Sequence, residues 1–302
     1  MKTRTLFLIS ILIIGFFLGS LCAQNYPNGS LLWKISGNSL EKPSYLLGTF
    51  HLKSGNYLEE INGALDAIAE CEQMVGEVDM TDMMKVQQQM MPAMMMSPDT
   101  TYKMLYSEAE YELVNEKMIS VLGMGLEQLG VLKPSAIQTT IVSIICQKLI
   151  PDFDAENPMD VAIRKMGQKE NKPILSLELV EDQIQALFGT SLRRQADLLL
   201  CNMQNLDQVG EQAAILMIEN YDKGDLNALY SESFQDDNSP CPSTTEEKNA
   251  LLKHRNDKWM EKLPEIMKDK SSFIAVGALH LAGEEGLLYQ LKQLGYTVEP
   301  VE

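Results

Sequence analysis

The sequence predicts an α+β fold, in which a central β-sheet is built from two duplicated strand-Gly-x-x-His-helix units and carries a helical cap. Three observations carry this. Two apolar segments near opposite ends, Tyr45-Leu-Leu-Gly48-Thr-Phe-His51-Leu52 and Phe273-Ile-Ala-Val-Gly277-Ala-Leu-His280-Leu281, share one pattern. Each reads as a short strand that breaks at a glycine and delivers an imidazole where the strand ends. Between them lies a long stretch of helical periodicity, and a β-rich segment, Tyr296-Thr-Val-Glu-Pro-Val, closes the chain.

Residues 1–23 read as a signal peptide. Lys2 and Arg4 form the basic start, Leu6 to Leu18 the apolar run, and Ser20-Leu-Cys-Ala the small residues for cleavage near Ala23. The run is short for a membrane span, so stable membrane insertion after cleavage is not expected, and the destination is periplasmic or extracellular. Losing Lys2 and Arg4 takes the net charge from −17 to −19. Such acidity argues against nucleic acid as a partner, because phosphate binding needs clustered Lys and Arg. Residues 24–302 are expected to form a single catalytic domain with a helical insertion at about 80–170.

Within that domain, Leu31-Leu-Trp-Lys-Ile-Ser and Ser44-Tyr-Leu-Leu-Gly form a hairpin around Gly37-Asn-Ser. Leu58, Ile61, Leu65 and Ile68 mark a helix ending near Cys71. Gln73-Met-Val-Gly-Glu77-Val is the next strand, expected beside the strand of the first histidine. Met80 to about Gly167 is helical between prolines, and it opens with eight methionines over residues 80–96. That tract suits a flexible apolar helix lining a groove better than a copper site, since no Cys or His lies near it. Lys172-Pro-Ile-Leu-Ser-Leu-Glu178 returns to strand, Glu181 to Tyr230 to helix, and Ser231 to Thr245 to loop. Glu246 to Met267 is expected to be one amphipathic helix. Of the cysteines past the leader, Cys71 and Cys146 sit in apolar segments, which leaves Cys201 with Cys241 as the one candidate disulfide.

Two imidazoles brought together from distant positions serve as metal ligands, or as a base and a charge stabiliser. Two histidines with a carboxylate hold catalytic divalent ions while leaving a place for water. Glu77, an acid interrupting an apolar strand, is the candidate third ligand, with Asp79 two residues on. Glu178 ends another strand, where sites on open sheets gather. Arg255 shares a helix face with Trp259 and can neutralise a carboxylate or steady an oxyanion. His254, outside the pattern, is a surface residue. No Gly-x-Ser-x-Gly elbow, phosphate loop, dinucleotide fingerprint or His-Glu-x-x-His helix is present, which removes the common serine-hydrolase, nucleotide and zincin readings.

Taken in order, Leu31-Leu-Trp-Lys-Ile, Leu46-Leu-Gly-Thr-Phe-His51, Val75-Gly-Glu77-Val-Asp, Leu175-Ser-Leu-Glu178, Arg255-Asn256-Asp-Lys-Trp259, Ala275-Val-Gly-Ala-Leu-His280 and Leu294-Gly-Tyr-Thr-Val resemble the TraB/GumN family. Relatives of that family include the Tiki metalloproteases. The resemblance implies a fold like that of the ChaN and erythromycin-esterase group, and a metal-dependent hydrolase acting on a peptide or protein. It supports His51, Glu77 and His280 as metal ligands and gives Glu178 and Arg255 weaker support as catalytic groups. The ion would be manganese, cobalt, iron or zinc, and its bound water the nucleophile. The alternatives are a non-catalytic exported module binding haem or a peptide, and a metal-free esterase using one histidine as base.

Overall fold

A computed structural model describes residues 26–27, 29–79, 83–235 and 239–302. The signal-peptide segment and the first residues of the methionine tract lie outside the described residues. The fold is mixed α+β around one six-stranded sheet. Its strands are β1 (Leu32–Gly37), β2 (Ser44–Thr49), β3 (Gln73–Val78), β4 (Ile174–Glu178), β5 (Ser272–Gly277) and β6 (Tyr296–Pro300), in the order β4-β3-β5-β2-β1-β6.

The four strands β4, β3, β5 and β2 run parallel, and β1 is antiparallel to both β2 and β6. Every residue of β2 is buried, and nearly every residue of β5. That burial is what continuous apolar runs such as Tyr45-Leu-Leu and Phe273-Ile-Ala-Val produce in central parallel strands covered on both faces. Edge strand β6 instead alternates, with Tyr296 and Val298 inward and Thr297 and Glu299 outward. The hairpin between β1 and β2 turns through Gly37, Asn38 and Ser39, all at positive φ.

One expected neighbour relation is different. β3 does not lie beside β2; β5 stands between them, pairing Tyr45 with Phe273 on one side and Gly76 with Ala275 on the other. The strands of the two histidines are therefore adjacent and parallel, and the strand of Glu77 borders the second of them.

Among the described residues the helices pack in two large apolar clusters and a small third one around Cys146, Ile150 and Ala214. The helices covering the sheet bury Leu58, Ala64, Ile68, Met159, Ile163, Trp259, Leu263 and Leu288 against the strands. A second apolar cluster, away from the sheet, joins Tyr102, Tyr106, Val114, Met118, Ile137 and Ile141 to Ala196, Leu199 and Met203. The Met159–Lys169 helix, grouped with the helical insertion by sequence, thus packs on the sheet, while the later Leu192–Gln204 helix packs with the insertion. Two further differences are local. The expected Glu246–Met267 helix is three, Thr245–Leu251, Lys253–Met260 and Leu263–Asp269, broken at Leu252 (φ −120°, ψ −70°) and restarted with Pro264 in the first turn. The Leu58–Cys71 helix is a 3-10 turn, Gly55–Glu59, followed by a helix over Ala64–Glu70. Cys201 and Cys241 form the disulfide, and Cys71 and Cys146 are buried thiols.

Candidate active site

The C-terminal ends of β2, β5, β3 and β4 deliver the site residues to one edge of the sheet. Gly48 pairs with Val276 and Thr49 with Gly277, so the two Gly-x-x-His turns leave adjacent strands one residue out of step. Neither motif glycine needs a positive φ; both serve close approach. A Cβ on Gly48 would press within 3.0–3.2 Å of Ala278 and Leu281, so the first turn packs directly on the second. A Cβ on Gly277 would meet Glu77 Oε1 at 3.4 Å, the His280 ring at 3.6 Å and His51 Nε2 at 4.0 Å. Three of the predicted residues thus converge on one small cradle above Gly277.

His51 stands in the turn after β2, its side chain 62 % exposed. Its Nδ1 lies 2.7 Å from Asp160 Oδ2, and the other carboxylate oxygen of Asp160 accepts from Thr49 Oγ1 at 2.7 Å. Asp160 meets the histidine because two backbone bonds sew the start of its helix to the turn after His51: Met159 N–H donates to Lys53 O and Gly55 N–H to Asn157 O. The Asp160 charge raises the imidazole pKa to about 9 against the opposing effect of desolvation. With Nδ1 turned to the carboxylate, Nε2 is the atom that faces the cradle.

Arg255 is the hub beneath. Its Nε and Nη2 make a two-pronged contact with Glu178, at 2.9 and 2.6 Å, and Nη2 also reaches Glu77 Oε2 at 2.5 Å. Nη1 donates to Leu251 O at 3.2 Å and meets His280 Nε2 at 3.0 Å. All five guanidinium N–H groups are thereby committed. Glu77 Oε1 accepts from Gly277 N–H at 2.7 Å, and Oε2 also accepts from Gln183 at 3.1 Å. Burial opposes the Glu77 charge, but Arg255, the protonated His51 and the Gly277 N–H outweigh it and hold the carboxyl at about 2. Glu178 is buried, accepts from Trp259 Nε1 at 3.1 Å as well as from Arg255, and lines none of the spaces around His51.

His280 differs from His51 in every respect but its motif. It is buried at 5 % exposure, with its ring 4.4 Å from that of Trp259. Nδ1 lies 2.7 Å from Asn256 Oδ1, while the Asn256 amide donates to the backbone oxygens of His280 and Glu285. These partners fix one tautomer: Nδ1–H donates to Asn256, and Nε2 accepts from Arg255. Burial, reinforced by the neighbouring cations and only partly offset by Glu77, lowers its pKa to about 3, so the ring is neutral.

This arrangement overturns the expected divalent cofactor. Among the described residues no group of three or more His, Cys, Asp and Glu is placed to hold a metal ion. The reason is visible in the bonding: the Glu77 and His280 lone pairs that would face an ion are turned to the guanidinium of Arg255. Manganese, cobalt, iron and zinc therefore lose their ligand set, and His51, Glu77 and His280 are neighbours without being a metal triad.

Among the described residues, three cavities reach His51. One of ≈ 260 Å³ lies over the cradle, one of ≈ 210 Å³ runs toward Asp160 and Arg164, and a groove of ≈ 700 Å³ extends between the helices that carry Ser135, Gln185, Leu198 and Glu246. Asp79 is exposed past the end of β3, and His254 is an exposed helix residue, as expected. Asp160, Thr49, Gln183 and Asn256 were not singled out by sequence. Asp160 had one local signal, an acid in the first turn of a helix after Pro158, but that signal is also the ordinary helix N-terminal preference.

The TraB/PrgY/gumN family profile matches residues 31–300, the whole of the sheet and every residue of this site. The chain belongs to the TraB/PrgY/gumN family. No curated protein and no solved structure matches it. In this TraB/PrgY/gumN chain, the family match extends over β1 to β6 and so takes in the Gly-x-x-His turns, Asp160 and the Arg255 hub together. Among the described residues no helix is long and apolar enough to cross a membrane.

Proposed function

We propose that the protein is a metal-free hydrolase of carboxylic esters in which His51 is the general base. The observation that carries this is the His51–Asp160 pair: a carboxylate 2.7 Å from Nδ1 orients the ring, and Nε2 faces the cradle bounded by Glu77 and Gly277. In this reading Nε2 takes one proton from a water whose oxygen attacks the ester carbonyl. The carbon–oxygen bond to the alcohol then breaks, and the imidazolium returns the proton to the departing alkoxide. Ester and water yield acid and alcohol, with no redox partner. While protonated, the ring is a cation beside the developing oxyanion, with Asp160 balancing it. Arg255, whose donors are all committed, is a positioning residue that holds Glu77 and His280 in place. A site with a base but no uncommitted guanidinium donor suits an ester leaving group better than a peptide nitrogen.

Hydrolysis of 4-nitrophenyl esters tests this. Turnover is expected to persist in excess chelator and to fall by about 10²–10⁴-fold in His51→Ala. Loss in chelator with recovery on adding metal overturns the metal-free reading. Peptide or haem binding in the ≈ 700 Å³ groove without any turnover would favour the non-catalytic module instead.

Further readings accompany this one. We infer that the β2 and β5 units arose by duplication, supported by their parallel pairing and shared Gly-x-x-His ends, and that the architecture is akin to the ChaN and erythromycin-esterase group. Likeness to the Tiki proteins is proposed on the motifs alone. Export to the periplasm or beyond, removal of residues 1–23, and a single unit over 24–302 with its helical insertion belong to the same proposal.

A further inference from the structure

We propose that the ≈ 260 Å³ cavity over the cradle is a specificity pocket for a bulky apolar acyl group of benzene size or larger. It rests on the ester-hydrolase reading and adds to it the substrate class. Phe50, Met217, Tyr221, Leu229, Leu251 and Leu279 form its walls, and His51, Glu77, Arg255 and His280 stand along its polar side. An apolar cavity of about 150 Å³ is enough to take benzene, so this one accepts a phenylalkyl or branched aliphatic group with room for a linking chain.

Apart from His51 Nε2, which the reaction itself uses, the donors at that side are already engaged. Arg255 has no remaining N–H, His280 has both nitrogens engaged, and the Tyr221 hydroxyl donates to Gly48 O at 2.9 Å, leaving its ring face to the pocket. An anionic acyl group would face the Glu77 carboxylate, and a hydroxylated one would find no partner beyond the reacting His51, so either loses hydration without full replacement. Met217 supplies an adaptable wall. Phe50, His51 and Leu251 also line the ≈ 700 Å³ groove, so the two spaces meet at the base. The geometry sets an apolar acyl end in the pocket, the carbonyl at His51, and the alcohol portion in the groove.

Two measurements test it. The first compares kcat/KM for 4-nitrophenyl acetate, 3-phenylpropionate and succinate. The phenylpropionate is expected to exceed both others by about tenfold or more, the scale on which apolar pockets discriminate. Met217→Trp, which fills the cavity, collapses the phenylpropionate-to-acetate ratio toward one, and Met217→Ala shifts preference to a 2-naphthylacetate ester. The second measures binding of 4-phenylbutan-2-one, a ketone that cannot be hydrolysed, by calorimetry, with acetone as control. Binding of the phenyl ketone that Met217→Trp abolishes, with no ester turned over, sinks the hydrolase and leaves the pocket. Turnover with a ratio within about twofold across acyl groups, or a ratio indifferent to both Met217 variants, sinks the pocket and leaves the hydrolase.

Discussion

At the residue scale, the two histidines of one motif have been given opposite electrostatic lives. His51 is solvent-facing, paired with Asp160 and raised to about 9, whereas His280 is buried, locked between Asn256 and Arg255, and lowered to about 3. Only the first can exchange a proton with a substrate across the accessible pH range. The hydrolytic rate is therefore expected to rise with pH to a limb near about 9, as the proton-accepting form of His51 accumulates. Asp160→Asn removes the charge behind that elevation. Its pH–rate profile should show the limb moved down toward the ordinary imidazole value, with a lower plateau; an unmoved limb assigns the titration elsewhere. Gly277→Ala is a second residue-scale test. The backbone there, at φ −53° and ψ 136°, accepts any residue, so stability should hold or rise by about 0.4–1 kcal/mol in urea unfolding. The new methyl would stand 3.4–4.0 Å from Glu77, His280 and His51, so ester turnover should collapse in a protein that folds normally.

At the element scale, Arg255 ties the Lys253–Met260 helix to β3 through Glu77, to β4 through Glu178 and to the turn after β5 through His280. Removing its charge leaves two buried carboxylates facing each other without a cation. Arg255→Met is expected to lower unfolding free energy by about 3–5 kcal/mol, read from the shift in the urea midpoint. A loss below about 1 kcal/mol would mean that water replaces the guanidinium. The elements themselves were largely legible in the sequence. Turn chemistry at Gly37-Asn38-Ser39 marked the hairpin, unbroken apolar runs marked the central strands, and the Gly-x-x-His ends pointed to one edge. What was not legible was long-range. Nothing in Gln73–Val78 says that β5, two hundred residues later, intervenes between it and β2. Nor does a lone acid after Pro158 announce a histidine partner 109 residues before it. The metal triad failed for a related reason. The strand ends draw His51, Glu77 and His280 together, but Arg255, which the sequence offered as a partner for a carboxylate, takes the lone pairs of Glu77 and His280 that an ion would need. The helix break at Leu252 leaves no mark in the sequence because the apolar periodicity runs straight through it.

At the scale of the whole molecule, the pH dependence of stability follows from the same groups. The folded-state pKa of Glu77 is depressed to about 2, so its contribution is present above its unfolded value and lost as pH falls through the folded one. His51 is raised, so its contribution is present below its unfolded value and lost as pH climbs through about 9. His280, lowered to about 3, adds a second contribution lost on acidification, so urea midpoints should peak near the ordinary imidazole value and fall on both sides, and Glu77→Gln should weaken but not abolish the acid-side fall. The Cys201–Cys241 bond spans a sequence separation of 40 and fastens the helix bearing Leu198 to the segment bearing Ser243 and Glu246, all of which line the groove. Reduction is expected to remove about 4 kcal/mol of stability, checked by thermal unfolding with and without reductant. A Tm unchanged on confirmed reduction would show that packing alone holds the two segments together.

The order β4-β3-β5-β2-β1-β6 also carries a consequence for how the molecule comes into being. Without residues 272–277 the sheet itself can form only as two pieces, the β1–β2 hairpin and the β3–β4 pair, with no strand ladder joining them. The strand that zips these pieces together is made only after about ninety further residues have followed β4. Such late, distant pairing makes for slow folding. Until that strand is seated, Glu77 and His51 stand on pieces of the sheet that no ladder joins, and the cradle above Gly277 does not yet exist.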